Sequence, residues 1–435
     1  MYRRLLYFFV FVSSILIAIP AFAVEFQPLG FEASSMGGAG VASARGSYAP
    51  YYNPALLAEH KHGMQISISA GVGAREVNIA DSIDTLSEID IGDTLDEFSL
   101  NPVDGNTVPV NIQNAIATIK NELTVLSGQN GLQLMPSANL GMQMGNFGFG
   151  AYGVSEATAH AVVDPNRLDF IIEESGVYFR YEESTGQYAL SDLAEYEASS
   201  LEYAIDQGLT YLNLTGLAYL EVPIAYGRSF PTALGKLNCG VSLKIMPAYT
   251  YDLNMKIDTE SGDISDDFKD AEKQDTSFGV DFGLLYKPPV LSNLSIGLVA
   301  KNINTPEFET ISGDTLEVKP QVRAGLAYDL LGDLITIAID ADLTNNETFI
   351  PDYESQFIGG GFNFHPFSWL SLRGGAMTNT QEKDEGIIWT AGLGFGLKWF
   401  QLDLSGQYSS KEGEFDGNTI PAYGRVQVSI VSKWF

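Results

Sequence analysis

The chain has 435 residues, a formal net charge of −30 at pH 7 and a single cysteine, Cys239. Such an excess of negative charge repels nucleic-acid phosphates, so the composition excludes a nucleic-acid partner. One cysteine excludes an internal disulfide framework. The 44 glycines and the 11% aromatic content are unusual for a soluble globular protein and suggest another class.

The first 23 residues have the pattern of a secretory signal peptide. Arg3 and Arg4 precede an apolar run over residues 5–19, and Ala21-Phe22-Ala23 places small residues at a cleavage site. We therefore expect cleavage before Val24 and export from the cytoplasm.

From residue 64 onward, apolar and polar residues alternate with a period of two. In residues 64–74, one face carries Met, Ile, Val and Ala, while the other carries Gln, Ser and Gly. Runs of this kind, most of them near the length that crosses a bilayer with tilt, predict membrane strands. About 14 are predicted, at 64–74, 132–144, 147–154, 210–226, 237–251, 278–286, 294–300, 322–328, 335–341, 358–364, 370–376, 387–399, 400–408 and 426–434.

The connections between these strands alternate between long and short, beginning with a long one after the first strand. Up-and-down membrane barrels have this layout, with short periplasmic turns and long external loops. A soluble sandwich also alternates, but its solvent face would carry more Lys and Glu. The predicted fold is all-β, a transmembrane up-and-down antiparallel β-barrel of about 14 strands with an N-terminal helical or irregular plug in its lumen. The predicted divisions are a signal peptide over 1–23, a plug over 24–62 and a barrel over 63–435.

The last predicted strand alternates in phase with Trp434 and not with the terminal Phe435. Outer-membrane strands that the barrel-assembly machinery reads commonly end on an aromatic residue. The phase difference predicts either that Phe435 slips out of register or that a β-bulge precedes it.

The long loops carry most of the negative charge, in clusters over 81–97, 173–197 and 263–270. Such clusters usually keep a surface solvated. An alternative is that they share bridging divalent cations with lipopolysaccharide phosphates. Residues 111–126 and 190–206 have helical patterns, which predict partly helical extracellular loops that cap the outer mouth.

A few charged side chains fall on the polar, lumen-facing side of the strands. Glu221 and Lys244 occupy mirrored positions on neighbouring strands, which predicts an ion pair across their connection. Whether these charges are structural or serve ligand binding or gating is left open. The predicted inward charges are Glu221, Lys244, Asp281, Lys301, Arg323, Asp340, Asp342, Arg373, Lys398 and Asp403.

We find no pattern of catalytic residues in the sequence. The four histidines, His60, His62, His160 and His365, have no Ser and carboxylate at a recognisable spacing. His60 and His62 form a pair two residues apart, which is more typical of a polar hinge than of a metal site. We therefore expect neither enzymatic activity nor a cofactor.

A glycine-rich stretch lies just behind the predicted cleavage site. Residues 36–42 read MGGAGVA and look like a phosphate-binding loop, but no strand of a βαβ unit precedes them. Residues 51–57 read YYNPALL, where Pro54 removes a backbone donor and holds Asn53 out of the helical region. Small residues and a fixed turn suit a segment packed in a narrow lumen.

These two motifs resemble the amino-terminal hatch of the long-chain fatty acid transporter superfamily, FadL and its relatives. Residues 319–328, 339–347 and 369–375 resemble a subgroup of conjugal-transfer TraF-like outer-membrane proteins. The resemblance implies a 14-stranded barrel closed by a hatch with an Asn-Pro-Ala motif. It implies that such proteins pass hydrophobic molecules sideways into the membrane.

The sequence thus predicts a plugged channel in the outer membrane of a Gram-negative bacterium, for uptake or exchange of small hydrophobic, fatty-acid-like compounds. The alternative is a scaffold or interaction protein for conjugation or envelope assembly; the plug disfavours a simple porin. Expected partners are outer-membrane lipid and lipopolysaccharide, with or without divalent cations, the barrel-assembly machinery and a hydrophobic ligand. The predicted plug or gating residues are Gly37, Gly38, Gly40, Asn53, Pro54 and Ala55.

Overall fold

In a computed structural model of the chain, fourteen antiparallel strands among the described residues close into a barrel. The first strand pairs with both the second and the last, which completes the closure. The predicted fold class is therefore confirmed. The structure describes residues 24–59, 63–89, 91–100, 102–256, 271–332, 334–397, 399–415 and 418–434, so the predicted signal peptide, His60, His62, the acidic cluster at 263–270 and Lys398 lie outside it.

The barrel strands are numbered in chain order, and each pairs with its neighbours along the sequence. They are β1 (Met64–Val77), β2 (Gly131–Met144), β3 (Phe147–Val162), β4 (Tyr211–Thr232), β5 (Gly235–Met255), β6 (Glu272–Lys287), β7 (Leu294–Lys301), β8 (Gln321–Leu330), β9 (Ile335–Asp342), β10 (Phe357–Phe367), β11 (Leu370–Asn379), β12 (Ile387–Leu397), β13 (Phe400–Ser409) and β14 (Tyr423–Trp434).

The two faces of each strand divide as the alternation predicts. On β1 the side chain of Ile68 is 57% exposed on the outer surface, whereas Ser67 and Ser69 are buried in the lumen. Ile224 and Leu243 are likewise exposed on β4 and β5. An apolar outer band around a closed barrel is the surface that lipid covers, so the strands span a membrane.

Several strands are longer than predicted. β3 was expected to end at residue 154 but continues to Val162, and β4 continues to Thr232 instead of 226. β6 begins at Glu272 and not at 278. Outside the lipid band the outer face no longer needs apolar residues, so the alternation fades while the hydrogen-bonded ladder continues.

The β-bulge expected before Phe435 is wrong for the described residues. From Tyr423 to Trp434, β14 pairs in unbroken register with β1, and its pairing with β13 is equally regular. The register of the described strands shifts instead between Phe364 and Phe367 of β10, opposite β11. Phe435 itself lies outside the described residues.

The plug segment contains short helical turns, and the external loops contain longer helices. In the plug these are α1 (Phe31–Ser35), a 3₁₀ turn (Gly46–Tyr48), α2 (Ala49–Tyr52) and a 3₁₀ helix (Pro54–Glu59). The helices of the loops are α3 (Ala80–Ile89), α4 (Ile91–Ser99), α5 (Val110–Leu126), α6 (Leu193–Ser199) and α7 (Leu201–Asp206), with a 3₁₀ turn at Lys383–Glu385.

The helix predicted over 111–126 is present as α5, but the one predicted over 190–206 is partly wrong. Its first two residues belong to the strand Gln187–Ser191, and Ser200 separates α6 from α7. Asp192 and Ser200 each accept a backbone N–H from the following turn, so two N-caps divide the segment. Among the described residues, none of the helices has the length and apolar character that crossing a membrane requires.

The external elements pack around an apolar core of their own, which includes Phe98, Ile116, Ile119, Phe170 and Leu201. We call this unit the cap; it comprises α3–α7 and the small sheet of Ile171–Glu174, Val177–Glu182 and Gln187–Ser191. Other loops form hairpins of Glu307–Glu309 with Thr315–Glu317, Asn346–Glu347 with Glu354–Ser355, and Glu412–Phe415 with Asn418–Pro421.

Candidate functional site

Residues 24–59 lie inside the barrel, and nearly all of them are buried. Near its start, the backbone N–H of Glu25 donates to Glu156, close to the outer end of β3. At its finish, Glu59 forms ion pairs with Lys236 and Lys287 beside the short turns, at 2.7 and 2.6 Å. The segment therefore runs through the lumen from the outer side to the periplasmic side, as a plug does.

The glycine-rich loop of the plug binds a carboxylate group of the barrel wall. The carboxylate of Asp340 on β9 accepts the backbone N–H groups of Gly40 and Val41 at 2.7 and 2.8 Å. Gly37 and Gly38 have φ values of 63° and 76°, which side-chain-bearing residues rarely adopt. The loop thus has the form of a phosphate loop while its ligand is an internal carboxylate.

A glycine of the plug and a glycine of the wall also permit close backbone contact between the two. A Cβ atom on Gly37 would lie 2.3 Å from the carbonyl oxygen of Ala376, and one on Gly375 of β11 would lie 2.8 Å from the nitrogen of Gly37. Real Cβ atoms do not approach backbone atoms so closely, so only glycine fits on both sides of this contact.

The Asn-Pro-Ala motif is anchored to the wall formed by β5 and β6. Asn53 is extended, with φ −165° and ψ 108°, as expected of a residue before proline. Its side-chain N–H₂ donates to the carbonyls of Val41 and Leu284, while its Oδ1 accepts the N–H of Ala55. A Cβ atom on Gly240 would lie 2.1 Å from the carbonyl carbon of Pro54, so the motif packs directly on the β5 backbone.

The predicted lumen charges within the described residues are buried, and most are paired. Lys244 contacts Glu221 and Asp281, both at 2.9 Å, and Lys301 lies 3.3 Å from Glu221. The remaining ion pairs are Arg323 with Asp342 and Arg373 with Asp403, both at 2.6 Å. A buried charge without a partner is costly, which explains this pairing; a role in ligand binding or gating stays a prediction.

The lumen cations also contact aromatic rings of the plug. Lys301 Nζ lies 3.6 Å from the centroid of the Tyr51 ring, and the Arg323 guanidinium lies 4.2 Å from that of Phe26. Arg373 faces Phe31 at 5.2 Å. Each of these cations therefore contacts an acidic residue of the barrel and, through a cation–π contact, an aromatic ring of the plug.

The inner face of strands β3–β5 carries an apolar cluster beside its charged residues Glu156, Glu221 and Lys244. It presents Tyr152 on β3, Tyr219 on β4 and Met246 on β5, which pack in one cluster with Phe26 and Tyr51 of the plug. Tyr51 and Tyr152 have ring centroids 5.5 Å apart. An apolar surface thus lines the lumen where these strands meet the plug.

The same strands have interrupted hydrogen-bonded ladders. The described pairs of β2 with β3 omit Pro136, those of β3 with β4 omit Pro223, and those of β4 with β5 omit Pro247. Each proline is still paired with the strand on its other side. The position of its missing N–H therefore faces the interrupted pairing in each case. The pairings β2–β3, β3–β4 and β4–β5, which we call the three seams, are therefore weakened at about the height of Tyr152.

One of these seams is completed by the plug. In register, the carbonyl of Ser155 on β3 lies opposite Pro136, which has no N–H to donate. The side-chain N–H₂ of Gln27 donates to this carbonyl at 2.9 Å instead. The plug thus satisfies a wall group that the neighbouring strand leaves without a donor.

A charge network at the outer end of the plug was missed in the sequence. Arg75 on β1 contacts Glu25 of the plug at 2.7 Å and Glu385 at 3.0 Å. Glu156 and Arg425 belong to the same region, through Glu25 and Gln27. Arg75, Glu156 and Arg425 lie just beyond the predicted strands, so extending the alternation would have found all three.

Comparison with known proteins identifies the family. The chain matches the model described as F plasmid transfer operon, TraF, protein, over residues 50–342. The chain belongs to this family. The TraF-like resemblance read from the sequence is therefore confirmed. No curated protein matches the chain.

Solved structures similar to this TraF family member include FadL-type proteins. The toluene transporters TbuX of Ralstonia pickettii and TodX of Pseudomonas putida align with 94% and 96% of the chain and with 100% of their own chains. Their identities are 14% and 12%, with TM-scores of 0.48 and 0.45. A FadL homologue of Pseudomonas aeruginosa covers 94% of this chain and 100% of its own, at 9% identity and a TM-score of 0.41. At these identities and TM-scores, the similarity gives no information on which compounds this chain binds.

Proposed function

We propose that this outer-membrane barrel takes up small hydrophobic compounds and releases them sideways into the membrane through the wall of β2–β5. The observation that carries the proposal is the coincidence of an apolar cluster on the inner face of β3–β5 with three proline-interrupted seams. An apolar compound gains by contact with aromatic side chains and needs no polar partner in transit. A wall that lacks ladder hydrogen bonds opens at lower cost than an intact one.

The plug has the role of a hatch in this proposal. It occupies the lumen, which blocks a continuous aqueous path, and its aromatic residues Phe26 and Tyr51 cover the apolar wall. A hydrophobic compound that displaces these rings replaces one apolar contact with another. The hydrogen bond from Gln27 to Ser155 is then the polar contact that must break at the seam.

The test restores the missing backbone donors. The triple variant Pro136→Ala, Pro223→Ala, Pro247→Ala can complete the three ladders, so we expect uptake of radiolabelled laurate into proteoliposomes to fall several-fold. Pro421→Ala, in an external hairpin away from the seams, is the matched control. Heat-dependent migration on a detergent gel confirms folding of each variant. Unchanged laurate uptake in the triple variant would refute release through this wall.

An interaction role is the second candidate, and the cap favours it. A loop that only shields a mouth needs no separate apolar core, whereas the cap buries Phe98, Ile116 and Phe170 and is strongly acidic outside. Replacing residues 80–126 by a Gly-Ser linker should abolish partner binding under this hypothesis. Under the transport hypothesis the same deletion should leave laurate uptake largely intact.

Bridging of the acidic loops to lipopolysaccharide by divalent cations stays a prediction. Within the described ranges, no three His, Cys, Asp or Glu side chains are grouped to hold a metal ion. Lipid phosphates would therefore have to complete the coordination. Unchanged protease sensitivity of the loops after chelation would contradict the bridging. Assembly by the barrel-assembly machinery likewise stays a prediction.

A further inference from the structure

One charged residue faces the lipid at the periplasmic end of the barrel. On the described barrel strands, the lipid-facing positions of the alternation hold three charged residues, Glu76, Arg228 and Glu272. Glu76 and Glu272 lie at the outer ends of β1 and β6, next to the external loops. Arg228 lies near the short turns, on the same face of β4 as Ile224 and Tyr226, and it is exposed. A positive charge therefore lies where the lipid-covered surface of β4 ends.

Aromatic residues place Arg228 at the level of the lipid headgroups. Phe147 and Tyr226 are paired in register, have ring centroids 4.9 Å apart and are exposed on the outer surface. Exposed aromatic residues form a girdle at each interface of a membrane barrel. Arg228 follows Tyr226 by two residues, which is about 7 Å along a strand. A guanidinium is costly in hydrocarbon, whereas at this depth it meets the polar headgroup region.

The guanidinium of Arg228 has no acidic partner among the described residues. Lys236 and Lys287, near the same turns, both pair with Glu59. Arg228 instead lies over the ring of Phe230, with 5.6 Å between the guanidinium carbon and the ring centroid. A cation–π contact uses the flat face of a guanidinium, so the N–H donors in its plane are available to bind an anion.

The backbone of the same segment adds a second donor. β3 begins opposite Tyr226, so β4 continues as far as Thr232 without a described strand on that side. The N–H of Gly227 donates toward this side, to the carbonyl of Asn146. Backbone groups alternate between the two sides of a strand, so the N–H of Ser229 points to the same open edge. A guanidinium and a backbone N–H are therefore available at one edge of β4.

We propose that Arg228 and the N–H of Ser229 bind the phosphate of an anionic phospholipid in the periplasmic leaflet. A phosphate accepts two parallel N–H groups from the planar guanidinium, and the backbone N–H adds a third. The acyl chains lie on the apolar outer surface toward the membrane midplane, over Tyr226 and Ile224. Inorganic phosphate would meet the same donors but would gain nothing from this surface.

The position of this lipid also places its acyl chains outside the β3–β4 seam. The described pairs of these strands omit Val222 and Pro223, and Val222 faces outward. Val222 is six residues from Arg228, about 20 Å along the strand and about 15 Å in membrane depth at the usual tilt. This depth is half of a hydrocarbon core of about 30 Å, which is the reach of acyl chains in one leaflet. The bound lipid thus covers the exit; this part rests on the proposed function.

The binding test uses native mass spectrometry of the full-length barrel in detergent, titrated with dioleoyl-phosphatidylglycerol. We expect one retained lipid, with an apparent Kd that Arg228→Gln raises roughly tenfold or more. Arg228→Lys keeps the charge but not the planar pair of donors, so it should raise the Kd several-fold. Lys383→Gln removes the same charge from an exposed turn of the external loops and is the matched control, with at most about a twofold effect expected.

Three outcomes in correctly folded protein would overturn the lipid site, and heat-dependent migration on a detergent gel checks the folding of each variant. The first is equal retention by wild type and Arg228→Gln. The second is equal retention of dioleoylglycerol, which has the same chains without the phosphate. The third is displacement of the lipid by excess inorganic phosphate, which would identify a site for free phosphate.

Laurate uptake tests the link to the exit separately. In proteoliposomes that contain phosphatidylglycerol, Arg228→Gln should raise uptake several-fold, because the lipid no longer covers the seam, whereas Lys383→Gln should not. If Arg228→Gln loses the lipid but uptake does not change, the link fails and the lipid site stands. If the triple proline variant does not lower uptake, the proposed exit fails, and lipid retention still decides the site.

Discussion

The two sides of the lumen hold the plug by different means. Toward β9–β13, the contacts are hydrogen bonds and close backbone packing, as between Asp340 and Gly40 or between Thr390 and Ser35. Toward β3–β5, hydrogen bonds such as that from Gln27 to Ser155 are joined by an aromatic and aliphatic cluster, with Tyr51 against Tyr152. Hydrogen bonds lose their energy when geometry shifts slightly, whereas apolar contacts do not depend on direction. The first side therefore fixes the plug, and the second can exchange contacts with a ligand.

The largest effect is expected from filling the backbone contact on the fixed side. In Gly375→Val, the new Cβ would lie 2.8 Å from the nitrogen of Gly37 and 2.5 Å from the oxygen of Gly360. Both neighbours are backbone atoms, so the plug must move, at a cost of about 1–3 kcal/mol. We expect a sharp rise in single-channel conductance in planar bilayers. Gly406→Val on β13 is the control, since nothing lies within 4 Å of its Cβ position; equal conductance in both variants would contradict a fixed contact here.

The next largest effect is expected at the carboxylate that the glycine loop binds. Asp340→Ala leaves the N–H groups of Gly40 and Val41 without their acceptor, which costs about 2–3 kcal/mol of docking energy. Limited proteolysis should then cleave the plug far faster than in wild type. Asp275→Asn is the comparison, since its carboxylate accepts from Thr276 at the outer end of β6 and from Glu309 of an external hairpin, away from the plug. Equal cleavage rates would show that this side does not fix the plug.

A smaller effect, and a diagnostic one, is expected at the seam. Gln27→Ala leaves the Ser155 carbonyl without a donor, so the plug should lose about 1–2 kcal/mol of docking energy. In a Pro136→Ala background the wall can supply that donor itself, so the same substitution should cost much less. The difference is the coupling energy of a double-mutant cycle, measured by hydrogen exchange of the plug amides. Additive effects would mean that Gln27 does not substitute for the missing wall N–H.

The sequence predicted the plug contacts of the two sides of the lumen to different extents. Strict alternation identified the strands and the inward direction of Asp340, since a period of two leaves only two faces. The glycine loop was recognised, but its ligand was not, because that contact joins residues 300 positions apart. The interrupted seams could not be predicted from the sequence. The register of the neighbouring strands decides which strand faces the missing N–H of each proline. Arg75 and Arg425 were missed because each lies just outside a predicted strand.

The smallest effect concerns the periplasmic end of the plug, where neither side dominates. Burial acts to raise the pKa of Glu59, but hydrogen bonds from Lys236, Lys287 and Asn238 outweigh it and lower this pKa to about 2. The ordinary value is 4.5, so the contribution of Glu59 to plug docking is complete above pH 4.5 and disappears as the pH falls through 2. Docking measured by hydrogen exchange of the plug should therefore weaken between these two values.

Glu59→Gln supplies the matched measurement, because it removes the charge while keeping the shape of the side chain. At pH 7 it should cost about 1 kcal/mol, since Lys236 is partly exposed and water screens its pairing. Between pH 4.5 and 2 the difference between wild type and variant should shrink toward zero, because the wild-type carboxyl becomes neutral as well. A difference that persists at pH 2 would show that Glu59 acts through packing and not through its charge. The periplasmic end would then resemble the apolar side of the lumen more than the hydrogen-bonded one.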